Sequence, residues 1–99
     1  MIPYRFLSPV EEEMTDASLF YEAASSPLGR NFLDDVQRAI DRVRNYPQTG
    51  EVIASGLRRT LLHRFPFNLI YAIEEDVIVV VAVAHHGRRP AYWQSRVSR

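Results

Sequence analysis

The sequence predicts a single α+β domain over residues 1–99, ordered βααβββ, in which an antiparallel helical hairpin packs on a β-meander. Three observations carry that reading. Apolar residues recur at three- and four-residue steps through the first half, strand patterns follow one another closely in the second, and a Ser-Pro pair marks the start of each helix.

Tyr4 to Leu7, aromatic and apolar, reads as a short first strand. The pattern changes at Ser8. Ser8 as the cap, Pro9 at the first helical position and Glu11 three residues on form the signature of a capping box, and Glu12 and Glu13 add negative charge to the positive end of the helix dipole. Val10, Met14, Ala17, Tyr21 and Ala24 make one apolar stripe. Ser26-Pro27 repeats the punctuation, so a second helix follows, with Leu28, Phe32, Val36, Ile40 and Val43 inward and Asp34 and Arg38 spaced for an outer ion pair. Asn45-Tyr46-Pro47 stops it. The hairpin must lay its apolar faces on something, and the strands Arg59–Phe65, Phe67–Glu74 and Val77–His85 supply the cover. Pro66 and Glu74-Glu75-Asp76 join them tightly enough to run antiparallel. From Val77 to Ala84 the last strand is apolar on both sides, so either both faces are covered or one awaits a partner.

The formal charge of zero conceals an asymmetry. Residues 1–50 hold eight of the twelve acids, whereas Arg58, Arg59, Arg64, Arg88, Arg89, Arg96 and Arg99 follow Leu57 against only Glu74, Glu75 and Asp76. All twelve cations are arginine, so no lysine can act as a general base and each cationic contact comes from a planar, permanently charged guanidinium. Cysteine is absent, which excludes disulfides and thiolate nucleophiles. The N-terminus lacks the apolar core of a signal peptide, and the longest apolar run is too short to cross a bilayer. A cytoplasmic protein without membrane contacts is expected.

The chemistry concentrates after the last strand, in His85-His86-Gly87-Arg88-Arg89-Pro90-Ala91-Tyr92-Trp93-Gln94-Ser95-Arg96. In-line cleavage of RNA by its 2′-hydroxyl needs a proton acceptor, a proton donor and fixed positive charge on the phosphate; His and Arg supply all three. Aromatic rings such as Tyr92 and Trp93 can stack on splayed bases. A structural reading stands beside each of these. A histidine at a strand end is more often a hydrogen-bonded turn residue than a catalyst, and Tyr92 and Trp93 equally serve to pack the tail on the sheet. His63, His85 and His86 lack a suitably spaced carboxylate, so no metal is expected, and no cofactor motif is present.

Leu57-Arg58-Arg59-Thr60-Leu61-Leu62-His63-Arg64-Phe65-Pro66-Phe67-Asn68-Leu69-Ile70-Tyr71, then Val79 to His85 and Arg88-Arg89-Pro90-Ala91-Tyr92-Trp93, resemble the signature half of RelE/ParE-type toxins of type II toxin–antitoxin systems. That resemblance implies a helix pair on a twisted, mostly antiparallel sheet joined by the N-terminal strand. It also implies an antitoxin, encoded by the adjacent gene, that covers the exposed sheet surface and basic residues in a hetero-oligomer. Two mechanisms divide the family. ParE-like members poison DNA gyrase and need no catalytic residues, whereas RelE-like members cut messenger RNA in the ribosomal A site. The Phe-Pro-Phe turn and the Arg-Arg-Pro-x-Tyr-Trp tail are closer to the ParE and plasmid-stabilisation branch, so gyrase poisoning is the expectation and ribosome-dependent cleavage the alternative. For a ribonuclease, Arg58, Arg64, His85, Arg89 and Tyr92 would fill the catalytic roles; Arg59, Tyr71, Arg88, Trp93 and Arg96 are the expected target and antitoxin contacts.

Overall fold

The computed structural model describes residues 1–54 and 56–97. In chain order it contains β1 (Tyr4–Phe6), α1 (Ser8–Ala24), α2 (Leu28–Asn45), β2 (Glu51–Ala54), β3 (Leu57–Leu61), β4 (Phe67–Glu74) and β5 (Val77–His85). Single 3-10 turns cover Pro47–Thr49 and Tyr92–Arg96. The sheet has the order β1-β5-β4-β3-β2, with β1 parallel to β5 and every other pair antiparallel.

The helical hairpin and the meander lie where the periodicity puts them, but their ends differ. Ser8 is the first helical residue and Leu7 the cap, with no side-chain hydrogen bond, so the expected capping box does not form. Pro27, not Ser26, caps α2. The missing cap oxygen comes from the neighbouring helix instead: Glu22 Oε1 accepts the Gly29 N–H at 3.0 Å. The two helices are close enough there that a Cβ on Gly29 would fall 2.5 Å from the Ser18 carbonyl oxygen. Arg38 pairs not with Asp34 but with Asp35, at 3.9 Å.

The inner face of α2 buries Phe32, Val36, Ile40 and Val43 against Leu69, Tyr71, Ile78, Val80 and Val83 of the sheet. Each large side chain of this kind contributes about 1.5–3 kcal/mol by leaving water. From α1, Val10 is buried while Met14, Ala17 and Tyr21 pack at the edge of the same core.

The sheet has one strand more than expected. Glu51–Ala54 forms an edge strand against β3 in register Glu51↔Arg59 and Val52↔Arg58. Its anchors are side chains from elsewhere: Arg59 Nε donates to Glu51 at 2.7 Å, and Arg58 Nη1 donates to the Gln48 and Gly50 carbonyls at 2.9 and 2.8 Å. Tyr71 adds its hydroxyl, which donates to the Pro47 carbonyl and accepts from the Gly50 N–H. β3 in turn ends at Leu61, short of Phe65, because Leu62 and Phe65 turn into the core and Asp35 takes the Arg64 and Phe65 N–H groups at 2.8 and 3.2 Å.

β5 is sealed on both sides by its own chain, so of the two alternatives open to a strand apolar on both faces it takes the covered one. The helices cover one face. On the other, Leu57, Ile70, Ala72, Val81, Ala82 and Ala84 lie under Trp93, which is 8% exposed. The pairing with β4 slips between Ile70 and Tyr71, where β5 carries Val81 as an extra residue. This bulge changes the phase of the strand: Val80 and Val83 both pack with the helix-side core, and Val81 and Ala82 both face the tail. It thereby determines the side to which His85 turns.

Candidate functional site

Beyond the bulge, the ends of β4 and β5, the middle of β3 and the tail enclose a cavity of about 370 Å³. Arg59 from β3, Asn68 from β4, His85 and His86 from the end of β5, and Arg88 and Arg89 from the following turn line it, with Trp93 and Tyr92 along the tail side. Arg59 and Asn68 reach it because they lie on the outer face of the sheet, opposite the helices. Among the described residues Arg88 and Arg89 have no carboxylate within ion-pair distance, so this end of the molecule presents uncompensated positive charge. At its floor Asn68 Oδ1 is buried without a hydrogen-bond partner.

The tail is held in place by one carboxylate. Glu13, from the middle of α1, accepts the Tyr92 hydroxyl at 2.5 Å, the Arg96 guanidinium at 3.0 and 2.8 Å and the Val83 N–H at 3.3 Å. The pair is well shielded, with 16% of Arg96 and 14% of Glu13 exposed. Arg88 stacks on the Tyr92 ring with its guanidinium carbon 3.8 Å from the centroid. Burial first, and then the Glu13 hydrogen bond and charge, push the Tyr92 phenol well above its ordinary 10.0. Hydrogen bonding to Glu13 likewise raises Arg96. The sign of the consequence follows. Below pH 10 folded and unfolded chains both keep the Tyr92 proton; above it the unfolded chain loses its proton first, so the docked tail loses stability as pH rises. Trp93, the chain's one tryptophan, reports this directly: its fluorescence is expected to shift toward that of solvent-exposed indole above pH 10, and Tyr92→Phe to remove that step.

Of the residues expected from sequence, the cavity gathers His85, Arg89 and Tyr92 of the catalytic set, and Arg59, Arg88 and Trp93 of the contact set. Arg96 stands beside them through Tyr92. Three others do not join. Arg58 points to the helix side, where two carbonyls occupy its guanidinium. Tyr71 is 0% exposed and is a core residue, not a contact. Arg64 sits in the β3–β4 turn, outside the residues lining the cavity.

Two candidate proton-transfer atoms are engaged, the Tyr92 hydroxyl and His85 Nδ1. The Tyr92 hydroxyl donates to Glu13. His85 Nδ1 accepts the Gly87 N–H at 2.8 Å, and its ring packs edge-on against Phe67 at 5.0 Å. That bond selects the tautomer with its proton on Nε2, which leaves neither ring nitrogen with a free lone pair. Among the described residues no group of His, Asp and Glu is placed to hold a metal ion.

Sequence reasoning misses Glu13, Asn68 and Asp35. In sequence Glu13 counts toward the helix dipole together with Glu12, and nothing local separates it from its neighbours Glu11 and Glu12. Its position beside the inward stripe, one residue before Met14 and four before Ala17, is the available signal.

A sequence model of the family described as ParE toxin of the type II toxin–antitoxin system parDE matches residues 4–90. No curated protein matches the sequence. Among solved structures, the chromosomal ParDE toxin–antitoxin system from P. aeruginosa is similar, with a TM-score of 0.62 and 15% identity over 86% of this chain and 96% of that one. The isolated E. coli RelE toxin is similar with a TM-score of 0.60 and 13% identity, over 97% of this chain and 96% of that one.

Proposed function

The chain belongs to the ParE toxin family of type II toxin–antitoxin systems, and from that premise we propose that it arrests growth by binding and poisoning DNA gyrase. On this reading it acts in the cytoplasm and is neutralised by an antitoxin encoded beside it. One observation carries the choice of target. Three of the five residues expected to catalyse RNA cleavage are engaged in the fold: the Tyr92 hydroxyl with Glu13, His85 Nδ1 with Gly87 and the Arg58 guanidinium with two carbonyls. What remains available is a cationic concavity in which Arg88 and Arg89 have no ion-pair partner among the described residues and Tyr92 and Trp93 lie alongside, which suits docking on a charged macromolecular surface.

Ribosome-dependent cleavage of messenger RNA is the second reading. The exposed His86 supports it, since that imidazole lines the cavity beside Arg59 and has no side-chain hydrogen bond among the described residues. Expression in cells lacking the antitoxin separates the two. The gyrase reading requires chromosomal breaks with gyrase covalently attached to the DNA ends and intact messages. Messages truncated at codon positions, with unbroken DNA, would replace it by the ribonuclease.

A further inference from the structure

We propose that Glu13 is the positioning residue of the cationic site, setting the place of Arg88 through Tyr92. The proposal rests on the reading of that site as the target-binding surface.

The reason lies in the edge of the sheet. β1 pairs with β5 only as far as Phe6 opposite Val80, while β5 runs on to His85. Past that point the backbone of β5 faces no strand on this side, and unpaired edge groups are costly when shielded from water. The Glu13–Arg96 pair takes the place of the absent strand. Arg96 Nη1 donates to the carbonyl of the bulge residue Val81 at 3.0 Å, and Glu13 Oε1 accepts the Val83 N–H at 3.3 Å. A carboxylate from α1 and a guanidinium from the tail thus fill one acceptor and one donor on the strand.

The geometry then extends outward. With Arg96 and Val83 holding the carboxylate, its Oε2 receives the Tyr92 hydroxyl, and this fixes the ring's tilt. The ring is the surface on which Arg88 lies at 3.8 Å. Arg88 and His85 together line both the cationic cavity and a second cavity of about 500 Å³ bounded by α1, so the stack places one guanidinium at the boundary of the two. Without it, an exposed arginine with several rotatable bonds would lose rotamer freedom at each encounter with a target. A residue in the acidic half of the chain therefore pre-organises a cation in the basic half.

Glutamine at position 13 keeps the shape but removes the charge, and it cannot accept the Tyr92, Arg96 and Val83 donors together. In Glu13→Gln, side-chain ¹⁵N relaxation of Arg88 Nε is expected to approach that of free arginine, whereas the wild-type side chain is ordered. Growth inhibition is expected to fall about tenfold in Glu13→Gln and in Arg88→Ala, with no further fall in the double variant, because both changes remove one interaction. Circular dichroism checks that each variant is folded. Should Glu13→Gln not fold, Tyr92→Phe, which deletes only the hydroxyl that Glu13 holds, takes its place with the same readouts. Arg88 equally ordered in the variant, or a double variant whose loss is the product of the single losses, overturns the proposal. The relaxation measurement presupposes no target and the growth assay does not presuppose gyrase, so failure of the gyrase reading and failure of this proposal are told apart.

Discussion

Replacing Asp35 by alanine is expected to lower the stability of the domain by about 3 kcal/mol, a fall in melting temperature of about 10–20 °C for a chain of this size. Asp35 is 0% exposed, and its Oδ2 accepts two backbone N–H groups from the turn that ends β3. Alanine leaves the buried Phe65 N–H and the part-buried Arg64 N–H without their partner and opens a void beside them. The charge itself adds little to offset this, since Arg38 stands 3.9 Å away and half exposed. The substitution Asp35→Asn retains a carbonyl oxygen for the turn, so it is expected to cost only about 1 kcal/mol. Thermal and urea melts of the two variants check both values. An alanine variant that melts within about 2 °C of the wild type would show that the turn is held by other contacts, contrary to the scale expected for a buried hydrogen-bonded carboxylate.

The second large effect is on function. Arg88→Ala combined with Arg89→Ala is expected to reduce growth inhibition at least about a hundredfold at equal protein level, on the scale of two interface arginines each worth about 1.4 kcal/mol or more. The fold should survive, because among the described residues neither guanidinium pairs with a carboxylate and both are exposed. A pair of unchanged melting curves beside a lost phenotype is the expected result. His85→Ala discriminates further. If the site only binds, growth inhibition and affinity for gyrase fall by the same factor; a loss of toxicity with unchanged affinity would mean that the imidazole does chemistry.

The elements legible in the sequence are those with a strong period. The stripe from Phe32 to Val43 identifies α2, and the turns at Pro66 and Glu74-Glu75-Asp76 separate β3, β4 and β5. β2 is not legible because four residues carry little alternation of their own; side chains outside the strand, Arg58, Arg59 and Tyr71, hold it in place. The bulge at Val81 is hidden for the opposite reason. In a strand apolar on both sides a change of phase leaves no trace, so the side taken by His85 cannot be read. The basic cluster after His85 is visible as composition, and six of the ten expected site residues do line one cavity. Arg58 and Tyr71 lie on the helix side of the sheet, opposite Arg59 and Asn68, because adjacent residues on a strand face opposite ways, and composition alone does not say which face carries the cavity. Asp35 and Glu13 show a further limit. Both look like ordinary acids on a helix, and only the tertiary fold reveals that each is a hydrogen-bonded anchor for a segment far along the chain.

On the proposed reading the toxin works by occupying its target and not by transferring protons. Purified gyrase supercoiling a relaxed plasmid in the presence of the purified toxin measures this most directly. Linear plasmid with gyrase covalently attached, accumulating with toxin concentration and suppressed by Arg88→Ala with Arg89→Ala, is the predicted result. Undisturbed supercoiling and no trapped DNA at saturating toxin, from a preparation that still arrests growth when expressed, would contradict it.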